Sequence, residues 1–161
     1  MDYRIRIARE QDLPEILQIY AYARSFMAAN GNPNQWGKTN PPRETLEADI
    51  AEEKLYVALN GDTICGVFFF YIGEDPTYFK IYEGSWLSAA PYGTIHRIAS
   101  RGSGGLFAAC VEFCLQKCSH LRIDTHGDNH IMQHVVEKAG FQRRGIIYIA
   151  DGTPRIAYEK I

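Results

Sequence analysis

Gly93-Thr-Ile-His-Arg-Ile-Ala-Ser-Arg-Gly-Ser-Gly-Gly-Leu106 is the stretch on which the fold turns. Thr94–Ala99 is a β-branched run that reads as a strand. Arg101, Gly102, Ser103, Gly104 and Gly105 form a glycine-rich turn, and an apolar helix begins directly behind it. Glycines admit a ligand close to the backbone, and the first amides of a helix have no acceptor within it. The pattern predicts a strand–turn–helix unit whose turn is a socket for a phosphate or pyrophosphate.

Working outward, residues 3–8 alternate with period two and predict a first strand. Asp12 is placed to cap a helix, with Pro14 in its first turn. Leu13, Ile16, Leu17, Tyr20, Ala23 and Met27 carry that helix at 3.6-residue spacing to a stop at Asn30-Gly31-Asn32-Pro33. Residues 30–42 read as a loop, followed by a short helix from Pro42 to about Glu53. Leu55–Leu59, the Asn60-Gly61-Asp62 turn and Ile64–Ile72 predict a hairpin. Residues 73–92 give no clear element: Asp75-Pro76 breaks the strand, and 78–82 read as either a short return strand or a lid. Leu121–Thr125 reads as a strand, Asn129–Ala139 as a helix stopped by Gly140, and residues 146–149 and 155–158 as a hairpin about Asp151-Gly152. The order β-α-α-β-β-β-α-β-α-β-β predicts one domain over residues 1–161, an α/β (α+β) fold with a mixed sheet flanked by helices.

Composition limits what such a domain does. A net charge of −2, from 17 basic and 19 acidic residues, gives no electrostatic case for nucleic acid. The longest apolar run, Val67–Ile72, is far too short to span a bilayer. No signal-peptide pattern opens the chain, so the expected compartment is the cytoplasm. Cys110, Cys114 and Cys118 share one helix face, but no Cys-x2-Cys spacing accompanies them, and they read as buried thiols rather than metal ligands. His130 and His134 also lie four apart; with no third ligand in sequence they read as a solvated face. No metal is expected.

The glycine turn is not followed by Gly-Lys-Ser/Thr, which disfavours a nucleotide-hydrolysing P-loop, and no acidic strand end stands at the offset of a dinucleotide fold. Further on, Asn129-His-Ile-Met-Gln-His-Val-Val-Glu-Lys-Ala-Gly-Phe141 supplies a second landmark, and the first strand followed by Asp12-Leu-Pro-Glu-Ile16 a third. With these in order over nearly its whole length, the chain resembles the GNAT family of N-acetyltransferases. The resemblance implies a mostly antiparallel sheet splayed between the fourth and fifth main strands. It also implies transfer of an acetyl group from acetyl-CoA to a primary amine by direct attack. Acetyl-CoA would lie in the splay, its pantetheine along the main chain of Ile98 and Ala99. Its pyrophosphate would sit on the amides of Arg101, Gly102, Ser103, Gly104 and Gly105, with Asn129 on the pantetheine arm. Two departures accompany it. The family turn, Gln/Arg-x-x-Gly-x-Gly/Ala, ends here in Leu106, and a shift by two that brings Ala108 to the last place loses the arginine. Val136 stands where many members carry a tyrosine that protonates the departing thiolate.

On the acceptor side several residues have two readings. His96 is either a general base, since histidine titrates near neutrality, or a half-buried side chain bonded to a carbonyl. Asp124 and His126, with Thr125 and Asp128, either bind the amine or serve locally, Asp128 as a helix cap. Trp36 and Tyr22 either floor the acceptor site or anchor a loop. Phe68–Tyr71 reads as core. The lack of an acidic run favours a small-molecule or amino-acid-like amine over a polybasic acceptor, with protein N-termini or lysines second. A homodimer is left open. The reading from a different class is a catalytically silent CoA-binding sensor or scaffold, which the missing tyrosine would suit.

Overall fold

A computed structural model describes residues 2–102 and 104–161. In chain order its elements are β1 Arg4–Ile7, α1 Leu13–Ala29, α2 Arg43–Ala51, β2 Leu55–Asn60, β3 Thr63–Ile72, β4 Gly93–Ser100, α3 Leu106–Lys117, β5 Leu121–Thr125, α4 His130–Lys138, β6 Gln142–Tyr148 and β7 Pro154–Lys160. Seven strands form one sheet in the order β1-β2-β3-β4-β5-β7-β6. Every neighbouring pair is antiparallel except β4 and β5, which run parallel.

The apolar run in β3 follows from burial on both faces as far as Phe70, while Tyr71, read as core, and Ile72 are exposed beyond it. Phe68 and Phe70 pack with Cys110, Cys114, Val136 and Ile123 under α3 and α4. Val67, one residue away, packs with Ile16, Ile19, Tyr20, Leu46 and Val57 under α1 and α2. β7 divides its side chains in the same way. Ile156 and Tyr158 join the α3/α4 core, while Ala157 faces a third cluster with Tyr78, Tyr92 and Ile147. Residues 73–92 therefore cover the half of the sheet that α1 and α2 leave bare. Their one regular element is a 3-10 turn, Pro76–Tyr78, and Tyr82 adds a single bridge to Ile146, so the return strand read at 78–82 does not form. Asp75-Pro76-Thr77 explains why: Asp75 accepts from the Thr77 amide at 3.0 Å and from its hydroxyl at 2.5 Å, which turns the chain.

Asp12 occupies the N-cap of α1 without making a side-chain cap. Its carboxylate instead takes Arg6 at 2.7 and 3.0 Å and the Arg9 amide at 2.8 Å, tying β1 to the start of the helix. At the opposite end of the sheet Glu159, fully buried, accepts from the Leu87 amide at 2.6 Å and faces His120 Nε2 at 2.5 Å and Arg122 Nε at 3.5 Å. This network pins the end of the 73–92 cover onto β5 and β7.

Candidate active site

The sheet opens between β4 and β5. They pair only at Gly93–Leu121 and Thr94–Arg122, and beyond Thr94 no ladder joins them. A bulge steers β4 away: Phe69 opposes His96 and Val67 opposes Ala99, so two residues, Arg97 and Ile98, face one on β3. Arg97 has φ of +52°, a conformation costing a non-glycine residue roughly 1 kcal/mol. Three contacts hold it there. The Tyr20 hydroxyl donates to its carbonyl at 2.6 Å, its Nη2 meets Asp49 at 2.6 Å, and its guanidinium lies 4.7 Å from the Phe69 ring centre. The opening leads to a cleft on each side, and the two meet at Met27, Ile98, Asn129 and Met132.

The larger cleft, of about 590 Å³, runs along Ile98, Ala99 and Ser100 to the start of α3. Gly102 and Gly105 border it with φ of +80° and +75°, values that turn the chain sharply into the helix. Among the described residues, chain neighbours aside, methyl groups built on Gly104 or Gly105 would meet no atom within 4 Å, which leaves space over the turn for a ligand. The turn is anchored from outside: Tyr3 donates to the Gly104 carbonyl at 2.7 Å, and the Arg101 amide to the Cys65 carbonyl at 3.1 Å. Helix-start amides over open space, with the exposed rings of Tyr22 and Phe26 along the wall, suit a ligand with an anionic centre and a long, weakly polar arm.

The smaller cleft, of about 490 Å³, contains His96, Asp124, Trp36 and Arg155. His96 Nε2 lies 2.6 Å from Asp75 Oδ2, and Nδ1 lies 3.8 Å from Asp124 Oδ2. Burial works to raise the Asp75 carboxyl, but hydrogen bonds from His96 and Thr77 outweigh it and bring it down to about 2. Asp75 is therefore ionised and only accepts, which places a proton on His96 Nε2; in the neutral tautomer this leaves a lone pair on Nδ1, toward Asp124 and the cleft. Tyr78 donates to Asp124 at 2.7 Å. Burial, reinforced by the Asp124 charge, pushes that phenol well above its ordinary range and keeps its proton in place. The arrangement can accept a proton at Nδ1 while Asp75 fixes the ring and offsets the charge that results.

Other residues picked out in the sequence fall in different places. Trp36 packs edge-on against Tyr20, with ring centres 5.5 Å apart, and borders the smaller cleft. Tyr22 does not share that floor. It lies 47% exposed on the larger cleft, stacked with Phe26, because residues two apart on α1 point to nearly opposite sides and Tyr20 takes the inward position. The Arg101 side chain turns onto α1, to Glu15 at 2.7 Å and Gln18 at 3.4 Å, leaving only its backbone in the turn. Ser103 lies outside the described residues. His126 does not border either cleft; its Nδ1 accepts from the Asp128 amide at 3.0 Å, and burial, then Arg155, lower its pKa.

Asn129, not Asp128, caps α4, accepting from the Met132 amide at 3.0 Å. Its Nδ2 donates to Gln35 at 2.9 Å, and the same Gln35 oxygen accepts from Asn32 at 2.9 Å. Val136 is fully buried in the core and exposes no group to the opening. Cys110 and Cys114 are buried too; burial pushes the Cys110 thiol up to about 12 and Cys114 higher still. Asp75, Tyr78, Gln35 and Arg155 were not singled out from sequence. Only Asp75 carried a local signal there, and that signal was for a turn.

No family model and no curated protein matches the chain. Solved structures do. An acetyltransferase of the GNAT family from Streptococcus agalactiae superposes with a TM-score of 0.90 at 30% identity, covering 99% of this chain and 95% of that one. A GNAT-family acetyltransferase from Listeria monocytogenes gives 0.71 at 16% identity, over 98% and 94% of the two chains. An aminoglycoside N(6')acetyltransferase from Legionella pneumophila gives 0.69 at 16%, over 99% and 93%. The last two show a shared fold. The streptococcal protein, alike in sequence over almost the full length of both chains, shows more: with its mixed sheet and parallel β4–β5 pair, this chain belongs to the GNAT acetyltransferase family.

Proposed function

We propose that this chain, acting as one domain over residues 1–161, transfers the acetyl group of acetyl-CoA to a primary amine of a small-molecule or amino-acid-like acceptor. The observation that carries the reading is the pair of clefts meeting across the opened strands, one with backbone amides over open space and one with a histidine held by a carboxylate. Acetyl-CoA fits the larger cleft, with its phosphates at Gly102–Leu106 and its pantetheine beside Ile98 and Ala99. The amine enters from the smaller one.

An alkylammonium of pKa near 10.4 must lose a proton before it attacks, which costs about 4.6 kcal/mol at neutral pH. His96 Nδ1 takes that proton, and Asp75 stabilises the imidazolium. The amine nitrogen bonds to the thioester carbonyl carbon, the C–S bond breaks as the sulfur leaves, and the cationic nitrogen of the intermediate gives its second proton to water in the cleft, leaving a neutral amide. With Val136 buried and the Tyr78 hydroxyl keeping its proton in a hydrogen bond to Asp124, the thiol leaves as its anion. That is feasible for a group with pKa near 8.5. Thiol release from acetyl-CoA across a panel of amines tests the reading. Acceptor-dependent release is expected. CoA binding with no release from any amine would turn the reading into that of a silent CoA-binding module.

A further inference from the structure

Arg155 is 5% exposed and borders the acceptor cleft at the start of β7. Its Nη1 is used locally, on Thr153 Oγ1 at 3.0 Å and the Pro154 carbonyl at 2.8 Å. Among the described residues Nε and Nη2 donate to nothing, and no carboxylate oxygen comes within 4.0 Å of the guanidinium. Arg97, the other guanidinium at this cleft, is paired with Asp49 at 2.6 Å. Burial pulls Arg155 down from its ordinary pKa and Asp124 and Asp151 only partly offset it, as expected of a cation with no direct counter-ion. Such a group is costly to bury, and its free Nε–Nη2 edge is the fork that matches the two oxygens of a carboxylate.

The cleft thus has a place for each end of a zwitterion. An ammonium group meets Asp124 and the lone pair of His96, and an anion meets Arg155. We infer that the acceptor is an amine that also bears a carboxylate, an α-amino-acid-like molecule, whose carboxylate is bound by Nε and Nη2 of Arg155. The single charge follows from the surroundings: Asp124 and Asp151 share the cleft, so a doubly charged phosphate meets repulsion that a carboxylate balanced by its own ammonium avoids. The inference rests on the acetyl-transfer reading for the fate of the amine, but not for recognition of the carboxylate.

Two measurements separate these. Calorimetry on CoA-saturated protein compares N-acetyl amino acids of graded side chains with their neutral amides. Thiol release compares the free amino acids with their amides and with phosphoethanolamine. The best acid is expected to bind about tenfold to a hundredfold more tightly than its amide, and to be used with a correspondingly higher kcat/KM. In Arg155→Gln that ratio falls toward one, with Arg155→Lys between. A melting curve establishes that the variants fold; if neither does, the wild-type ratio decides. A ratio near one throughout the panel, a ratio unchanged in Arg155→Gln, or a preference for phosphoethanolamine overturns the inference. Preferential binding of acids without thiol release upholds it while the acetyl-transfer reading falls. Release that treats acids and amides alike does the reverse.

Discussion

On one side of the β4–β5 opening the recognition surface is main chain: the backbone of Ile98–Ser100, the glycine turn and the first amides of α3. On the other side it is side chain: His96 on β4, Asp75 and Tyr78 from the cover, Asp124 on β5 and Arg155 on β7. Backbone amides present the same donors whatever residues carry them, so the first surface suits a co-substrate common to many enzymes. Side chains differ from chain to chain, so on the proposed reading the second would select the acceptor. Substitutions should divide accordingly, with donor-side changes altering affinity for acetyl-CoA and acceptor-side changes altering turnover.

His96→Gln should cause the largest change. Losing a general base costs about 10²–10⁴ in rate, and stopped-flow or steady-state turnover should show that loss in kcat while calorimetric CoA affinity barely moves. A variant that turns over at the wild-type rate would reduce His96 to a structural residue and send the search for a base to Asp124. Asp75→Asn comes next. It replaces a charged acceptor with a neutral amide and should lower kcat about tenfold to a hundredfold, the value of one charge-assisted hydrogen bond. A stability effect accompanies it. Because Asp75 titrates near 2 when folded, below the ordinary carboxylate value near 3.9, its contribution is complete above about pH 4 and is lost as the pH falls toward 2. The stability gap between wild type and Asp75→Asn, read from urea midpoints, should therefore close on acidification through that window.

Gly104→Asp tests the donor side with a smaller effect. The position has no other described residue within 4 Å of an added methyl group, so the fold should tolerate the change, while the new carboxylate stands over the turn where phosphate charge is expected. CoA affinity should weaken by well over 1 kcal/mol, about tenfold, with Gly104→Ala close to wild type. Unchanged affinity in the aspartate variant would move the phosphates off this turn.

The same contrast explains what could be read in advance. The donor side is local: residues 93–106 and 129–141 are continuous stretches whose glycines, helix periodicity and cap are visible in order, and the strand and helix bounds there shift by only a residue or so on folding. The acceptor side is assembled by the sheet. Asp75 and His96 are 21 residues apart and meet because β3 and β4 are joined by the long cover, which has no periodicity to read. Arg155 and Asp124 become neighbours only when β7 inserts between β5 and β6. An arginine near a strand start gives no sign in sequence of being buried without a carboxylate. Tyr22 was grouped with Trp36 for being aromatic, whereas helix phase puts Tyr20 there.

Asn129 stands where the two clefts meet, and it gives the smallest and most discriminating effect. Its Oδ1 caps α4, and one Nδ2 proton goes to Gln35; the amide has a second proton, which can reach a ligand. Asn129→Asp keeps the cap, since both residues cap well, and removes both donors. Gln35→Ala removes only the tie to the 30–42 loop. If that tie is what Asn129 provides, each variant should cost about 1 kcal/mol, a fall of about 2–4 °C in Tm. The double variant should then fall no further than the worse single one, because they share a bond. Additive losses in Tm would mean the bond contributes nothing. CoA affinity separates the remaining roles. A loss in Asn129→Asp that Gln35→Ala does not reproduce puts the second proton on the pantetheine arm and Asn129 on the donor side. Equal and small losses in both make it a latch on the 30–42 loop through Gln35 and Asn32.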